Sequence, residues 1–116
     1  MRDQSFHDYV VHDILGDLPG ITSRAMFGGW GIYRHGVIFG LIVEGALYFK
    51  VGESNQADFQ KAESQPFVYE RKGKKVSLSY WLVPERILED RETLRRWVEK
   101  SVRASEDERK KKWTIK

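Results

Sequence analysis

The chain contains no cysteine, which excludes disulfides, thiolate nucleophiles and sulfur-ligated metals. Histidine is sparse and scattered. His7 and His12 are five residues apart, where a helical ligand pair needs four, and His35 stands alone. No apolar stretch approaches the ~20 residues that span a bilayer. The opening segment MRDQSFHDYVVHDILGDLPG is acidic and amphipathic, unlike a signal or transit peptide. No GxxxxGK[ST] occurs, and no serine sits in a G-x-S-x-G setting. Proline is confined to Pro19, Pro66 and Pro84, each at the edge of a patterned segment. These absences lead us to expect a cytoplasmic protein that is not an enzyme and uses no cofactor, metal or membrane.

What remains suits one packed domain. The 116 residues are 41% hydrophobic and 13% aromatic, enough to bury a core without staples. The net charge of +3 resides at the end. Residues 103–116 carry six of the twenty basic groups and three of the seventeen acidic ones, which leaves fourteen of each in the first 102 residues. A neutral body with a basic tail is a different object from a basic nucleic-acid-binding domain. Within the body, Asp3, Asp8, Asp13 and Asp17 face only Arg2, whereas Arg71, Lys72, Lys74 and Lys75 cluster around Gly73.

The apolar periodicity gives the elements. Phe6, Tyr9, Val10, Ile14 and Leu18 form a helical stripe that Pro19-Gly20 ends. Thr22–Tyr33 reads as one extended strand, broken or bulged at Gly28-Gly29, since glycine inside a strand marks a bulge or a close approach. His35-Gly36 turns into Val37–Val43, whose unbroken apolar run predicts a central strand covered on both faces. After Glu44-Gly45, Leu47, Phe49 and Val51 alternate with Tyr48 and Lys50. Ser54 and Asn55 are capping residues for a short helix before Pro66. Phe67–Lys72 and Lys75–Val83 flank a lysine-glycine turn, with Val76, Leu78, Tyr80 and Leu82 on one face. Pro84 opens a short helix, and Asp90 caps a last one with Leu94, Trp97, Val98 and Val102 as its stripe. The order α-β-β-β-α-β-β-α predicts an α+β, two-layer fold, an antiparallel five-stranded sheet packed by helices.

Several separated strings agree with one family in one order. Met26-Phe27-Gly28-Gly29-Trp30-Gly31-Ile32-Tyr33, Gly36 to Ile42, Leu47-Tyr48-Phe49-Lys50-Val51 and Pro66 to Glu70 resemble the N-terminal domain of the TfoX (Sxy) family of bacterial competence regulators. So do Ser79-Tyr80-Trp81, Leu82 to Glu85, Leu88 to Asp90 and Trp97. The resemblance covers roughly residues 5–104. It implies a secretion-chaperone-like antiparallel sheet and a regulatory role. The longer regulators of that family carry a second, helical domain, so the expectation here is a stand-alone form, with a single domain over 1–104 and a charged tail over 105–116. A shared fold does not bring a mechanism with it.

Three functional readings follow. The first is a non-catalytic regulatory or protein-interaction domain. Trp30, Tyr33, Tyr48, Tyr69 and Trp81 exceed what one face of a small sheet needs, and with Arg24 they are the candidate interaction residues for a protein partner or a second copy of the chain. Core packing is the plain alternative for each. The second is a nucleic-acid-associated protein, with Arg71, Lys72, Lys74, Lys75, Lys110, Lys111 and Lys112 contacting phosphates and Trp113 stacking on a base. The acidic triplet Glu106-Asp107-Glu108 opposes that reading, and a frayed helix end is the plain alternative for the tail. The third is a small-molecule-binding protein or enzyme, which requires a pocket with convergent polar groups near Arg24 or Tyr33.

Overall fold

The computed structural model describes residues 4–26 and 28–114, with side chains to Lys111. In chain order the elements are α1 (Gln4–Asp8), a π-helical segment (Tyr9–Ile14), β1 (Ile21–Met26), β2 (Gly29–Arg34), β3 (Val37–Val43), β4 (Ala46–Lys50), α2 (Gln56–Lys61), β5 (Pro66–Arg71), β6 (Lys74–Leu82), α3 (Glu85–Leu88) and α4 (Arg91–Thr114). The strands form one antiparallel sheet in the order β1-β2-β3-β4-β6-β5. Its helix-covered face holds the core, in which Phe39 and Phe49 meet edge to face at 5.5 Å and Phe59 lies 4.3 Å from Trp97.

The α+β class stands, but the sheet has six strands where the sequence pattern predicts five. The run Thr22–Tyr33 is two strands. Met26 pairs with Gly29 across a turn at Gly28, whose φ of 75° reverses the chain instead of bulging it. Gly29 opens the next strand because a Cβ there would stand 2.0 Å from the Ile42 carbonyl oxygen, a closeness only glycine permits. Phe27 lies outside the described residues. The observed order is therefore α-β-β-β-β-α-β-β-α-α, with the π-helical segment continuing α1.

A bulge does exist, one hairpin later. Ile32 pairs with Gly40 and the next pair is Tyr33 with Ile38, so Phe39 is the extra residue. Phe39 turns wholly into the core, and Ile38 is left on the opposite face. Three later hairpins close on the two-residue turns His35-Gly36, Glu44-Gly45 and Lys72-Gly73, both residues of each having positive φ. That geometry matches strand twist and selects glycine second.

Two polar groups hold the helices to the sheet. Buried Asn55 does not cap α2 with its side chain. Its Oδ1 accepts the Gly52 N–H at 2.7 Å and its amide donates to the Lys50 carbonyl at 3.0 Å, fixing the exit from β4. The Ser105 hydroxyl donates to the Ile38 carbonyl at 2.6 Å, beside the bulge. Helix α4 crosses residue 104 without a break. Its first turn is capped by Asp90, which accepts from the Thr93 N–H at 3.2 Å and the Thr93 hydroxyl at 2.8 Å. Those bonds hold the Asp90 carboxyl below its ordinary range.

A candidate interaction groove on the open sheet face

In an antiparallel sheet, residues directly opposite each other share a face. Arg24 pairs with Gly31, Gly31 with Leu41, Leu41 with Tyr48, and Tyr48 with Leu82. These five form a row across the face opposite Phe49 and Trp81. Flanking rows on the same face contain Tyr33 beside Ile38 and Tyr69 beside Val76. The alternation of Val76, Leu78, Tyr80 and Leu82 with Ser77 and Ser79 therefore points away from the helices. Strand β3 is central, as its apolar run implies, yet only one of its faces is covered by helices.

The open face is concave. A groove of about 590 Å³ is lined by Met26, Trp30, Ile38, Leu41, Val43, Phe67, Tyr69, Leu78 and Tyr80. Met26 and Tyr33 close over Gly31, where a Cβ would lie 3.1 Å from Met26 Cε and 3.2 Å from Tyr33 Cε1. Along one wall the rings of Tyr48 and Phe67 meet at 4.9 Å, and Phe67 stacks on Tyr69 at 6.3 Å. Burial and the charge of Glu44 raise the Tyr48 hydroxyl above the ordinary phenol range.

Cations stand at both ends of the groove. Arg24 lies 6.0 Å from the Tyr33 ring on β1's side. On the far side Arg71 pairs with Lys74, two residues beyond Tyr69 and Val76 and so on the same face. Lys72 occupies the turn, and Lys75 pairs with Glu70 on the reverse face. Among the described residues, none of Arg24, Arg71, Lys72, Lys74 and Lys75 forms a salt bridge.

Lys50 anchors one corner. It is 6% exposed, donates to the Ser79 hydroxyl at 2.6 Å, pairs with Glu108 of α4 at 2.8 Å and stands 5.2 Å from the Tyr80 ring. Burial above all, then the negative charge of Glu108 and a smaller effect of Tyr33, pushes the Tyr80 phenol up to about 12. A second cavity of about 780 Å³, between the loop after β4 and the end of α4, is lined by groups of both signs, among them Glu53, Asp107, Glu108 and Lys111.

Of the candidate interaction residues, the structure brings Arg24, Tyr33, Tyr48 and Tyr69 to the open face. Trp81 is on the helix side, 6.3 Å from Phe59, and Trp30 stacks on buried His7 at 3.9 Å while bordering the groove. Of the candidate nucleic-acid residues, Arg71, Lys72, Lys74 and Lys75 are exposed on the β5–β6 hairpin, whereas Lys110 and Lys111 are on α4, with Lys111 3.5 Å from Glu53. The side chains of Lys112 and Trp113 lie outside the described residues. Beyond Trp30 and Tyr69, the groove's apolar lining was not singled out from sequence. Its signal was the alternation in β6, which names a shared face without saying which one. Among the described residues no three His, Asp or Glu side chains gather as metal ligands would, and no helix is long and apolar enough to cross a membrane.

The TfoX N-terminal domain family matches residues 13–105, from the end of the π-helical segment into α4 and across all six strands. The chain belongs to that family. This TfoX N-terminal domain is also 29% identical over 68 residues to the DNA transformation protein TfoX1 of Aliivibrio fischeri. The match covers 59% of the chain and 32% of that relative, so the chain aligns with about a third of the relative's length.

Proposed function

We propose that this TfoX N-terminal domain is a non-catalytic interaction module that docks a protein partner in the groove of its open sheet face, in a regulatory role. The observation that carries the reading is the groove itself. Large apolar side chains sit on a face that packs no helix among the described residues, where they add little to the core and cost solubility. The regulatory part rests on the family alone. Nucleic acid is the weaker occupant. The basic groups are divided between a hairpin tip and the end of α4, where Glu108 and Glu53 engage Lys50 and Lys111.

The test compares full-length chains immobilised as bait in native-cell extract. A partner that is retained by the wild type and by Lys110→Glu/Lys111→Glu, and lost with Leu78→Asp, supports the reading. A partner retained equally by Leu78→Asp removes it.

A further inference from the structure

We infer that the groove's occupant is an amphipathic α-helix of a partner, lying across the strands and carrying acidic residues at both ends. The inference rests on the groove being a docking site and adds the chemistry of what docks. Three observations lead to it.

The first is hydrogen bonding. The groove is on a face of the sheet, and the backbone donors and acceptors of β2, β3, β4 and β6 are committed to neighbouring strands. An extended peptide laid there would bury unpaired N–H and C=O groups. A helix satisfies its own backbone and presents only side chains, so a sheet face selects it, whereas a sheet edge selects a strand.

The second is size. From Arg24 on β1 to Arg71 on β5 the sheet makes five strand-to-strand steps, and Lys74, the partner of Arg71, lies eight residues along β6 from Leu82 in Arg24's row, so the path runs diagonally over about 35 Å at the usual ~4.8 Å between strands and ~3.3 Å per residue. A helix of about 23 residues has that length at ~1.5 Å per residue.

The third is charge. Arg24 marks one end of the path and Arg71 with Lys74 the other, and these three form no salt bridge among the described residues. Acidic residues at the helix ends would meet them both, with apolar residues between. The same cations argue against a second copy. Two open faces stacked about a two-fold axis would bring six like charges into one interface. The chain's own acidic N-terminal helix, α1 continued by the π-helical segment, has already committed Val10 and Ile14 to the core.

The experiment is selection of random peptides of about 23 residues displayed against the full chain, with Leu41→Asp/Leu78→Asp as counter-selection. The expected winners have apolar residues spaced three and four apart, Asp or Glu at both ends, and at least tenfold weaker binding to Arg24→Glu or Lys74→Glu. Placing lysine at the facing end of such a peptide restores binding to the charge-reversed protein. Groove-dependent winners with alternating strand-like or basic patterns overturn the helix inference and leave the docking site standing. Absence of any winner that depends on Leu41 or Leu78 overturns both. A dimer in light scattering that Leu78→Asp splits makes the occupant a second copy and overturns the inference.

Discussion

Lys50 separates the energetics of charge from those of packing. Its ammonium is almost wholly removed from water, and its partner Glu108 is half exposed. Removing both the charge and its desolvation is cheap, whereas removing only the counter-ion leaves a buried cation. Lys50→Met should therefore change the unfolding free energy by no more than about 1 kcal/mol, while Glu108→Gln should lower it by about 1–2 kcal/mol, both read from urea titrations. Tyr80, in the same corner, gives a pH test. Its phenol rises from the ordinary 10.0 to about 12 in the fold. The raised value favours the protonated folded chain, so the contribution is fully present below pH 10 and is lost as pH climbs to about 12. Across that window the phenol makes the wild type lose about 2 kcal/mol of stability. Urea titrations at the two ends should show a smaller loss in Tyr80→Phe; an equal loss would contradict the burial of this hydroxyl.

The glycines of β2 divide by what surrounds them. Gly29→Ala drives a methyl into the Ile42 carbonyl, which is backbone and cannot step aside. It should cost about 2 kcal/mol or more. Gly31→Ala meets chiefly the flexible end of Met26 and should cost less than about 1 kcal/mol. Thermal melts of the two variants check the contrast. These strands also show what sequence tells and what it withholds. His35-Gly36, Glu44-Gly45 and Lys72 with Gly73 were legible as turns because a residue pair with positive φ has a strong compositional signature. Gly28-Gly29 was not, since glycine serves a bulge and a turn equally well and the apolar pattern continues through both. The bulge at Phe39 had no mark at all, because it consists of one apolar residue among others. The first helix kept its stripe only in part. The π-helical segment Tyr9–Ile14 rotates the register, leaving Tyr9 42% exposed and burying Leu15 fully.

On the scale of the molecule, the sheet has two apolar faces, and only one of them holds the fold together. Periodicity reports that a face exists; which face receives the helices is decided by tertiary packing, and so the groove was invisible until Phe49 and Trp81 were seen on the other side. The two faces should respond differently to the same chemical insult. Leu47 is 1% exposed beneath the helices, so Leu47→Glu buries a carboxylate among apolar side chains and should leave the chain unfolded or reduce its stability by several kcal/mol, roughly the whole of what a small domain has. Leu78 faces the groove, where a carboxylate keeps contact with water. Leu78→Glu should cost no more than about 1 kcal/mol, retain the circular dichroism spectrum of the wild type, and raise solubility by breaking the apolar patch. Equal destabilisation by the two substitutions would mean that the open face is part of the core, and a docking role for it would then have no physical basis.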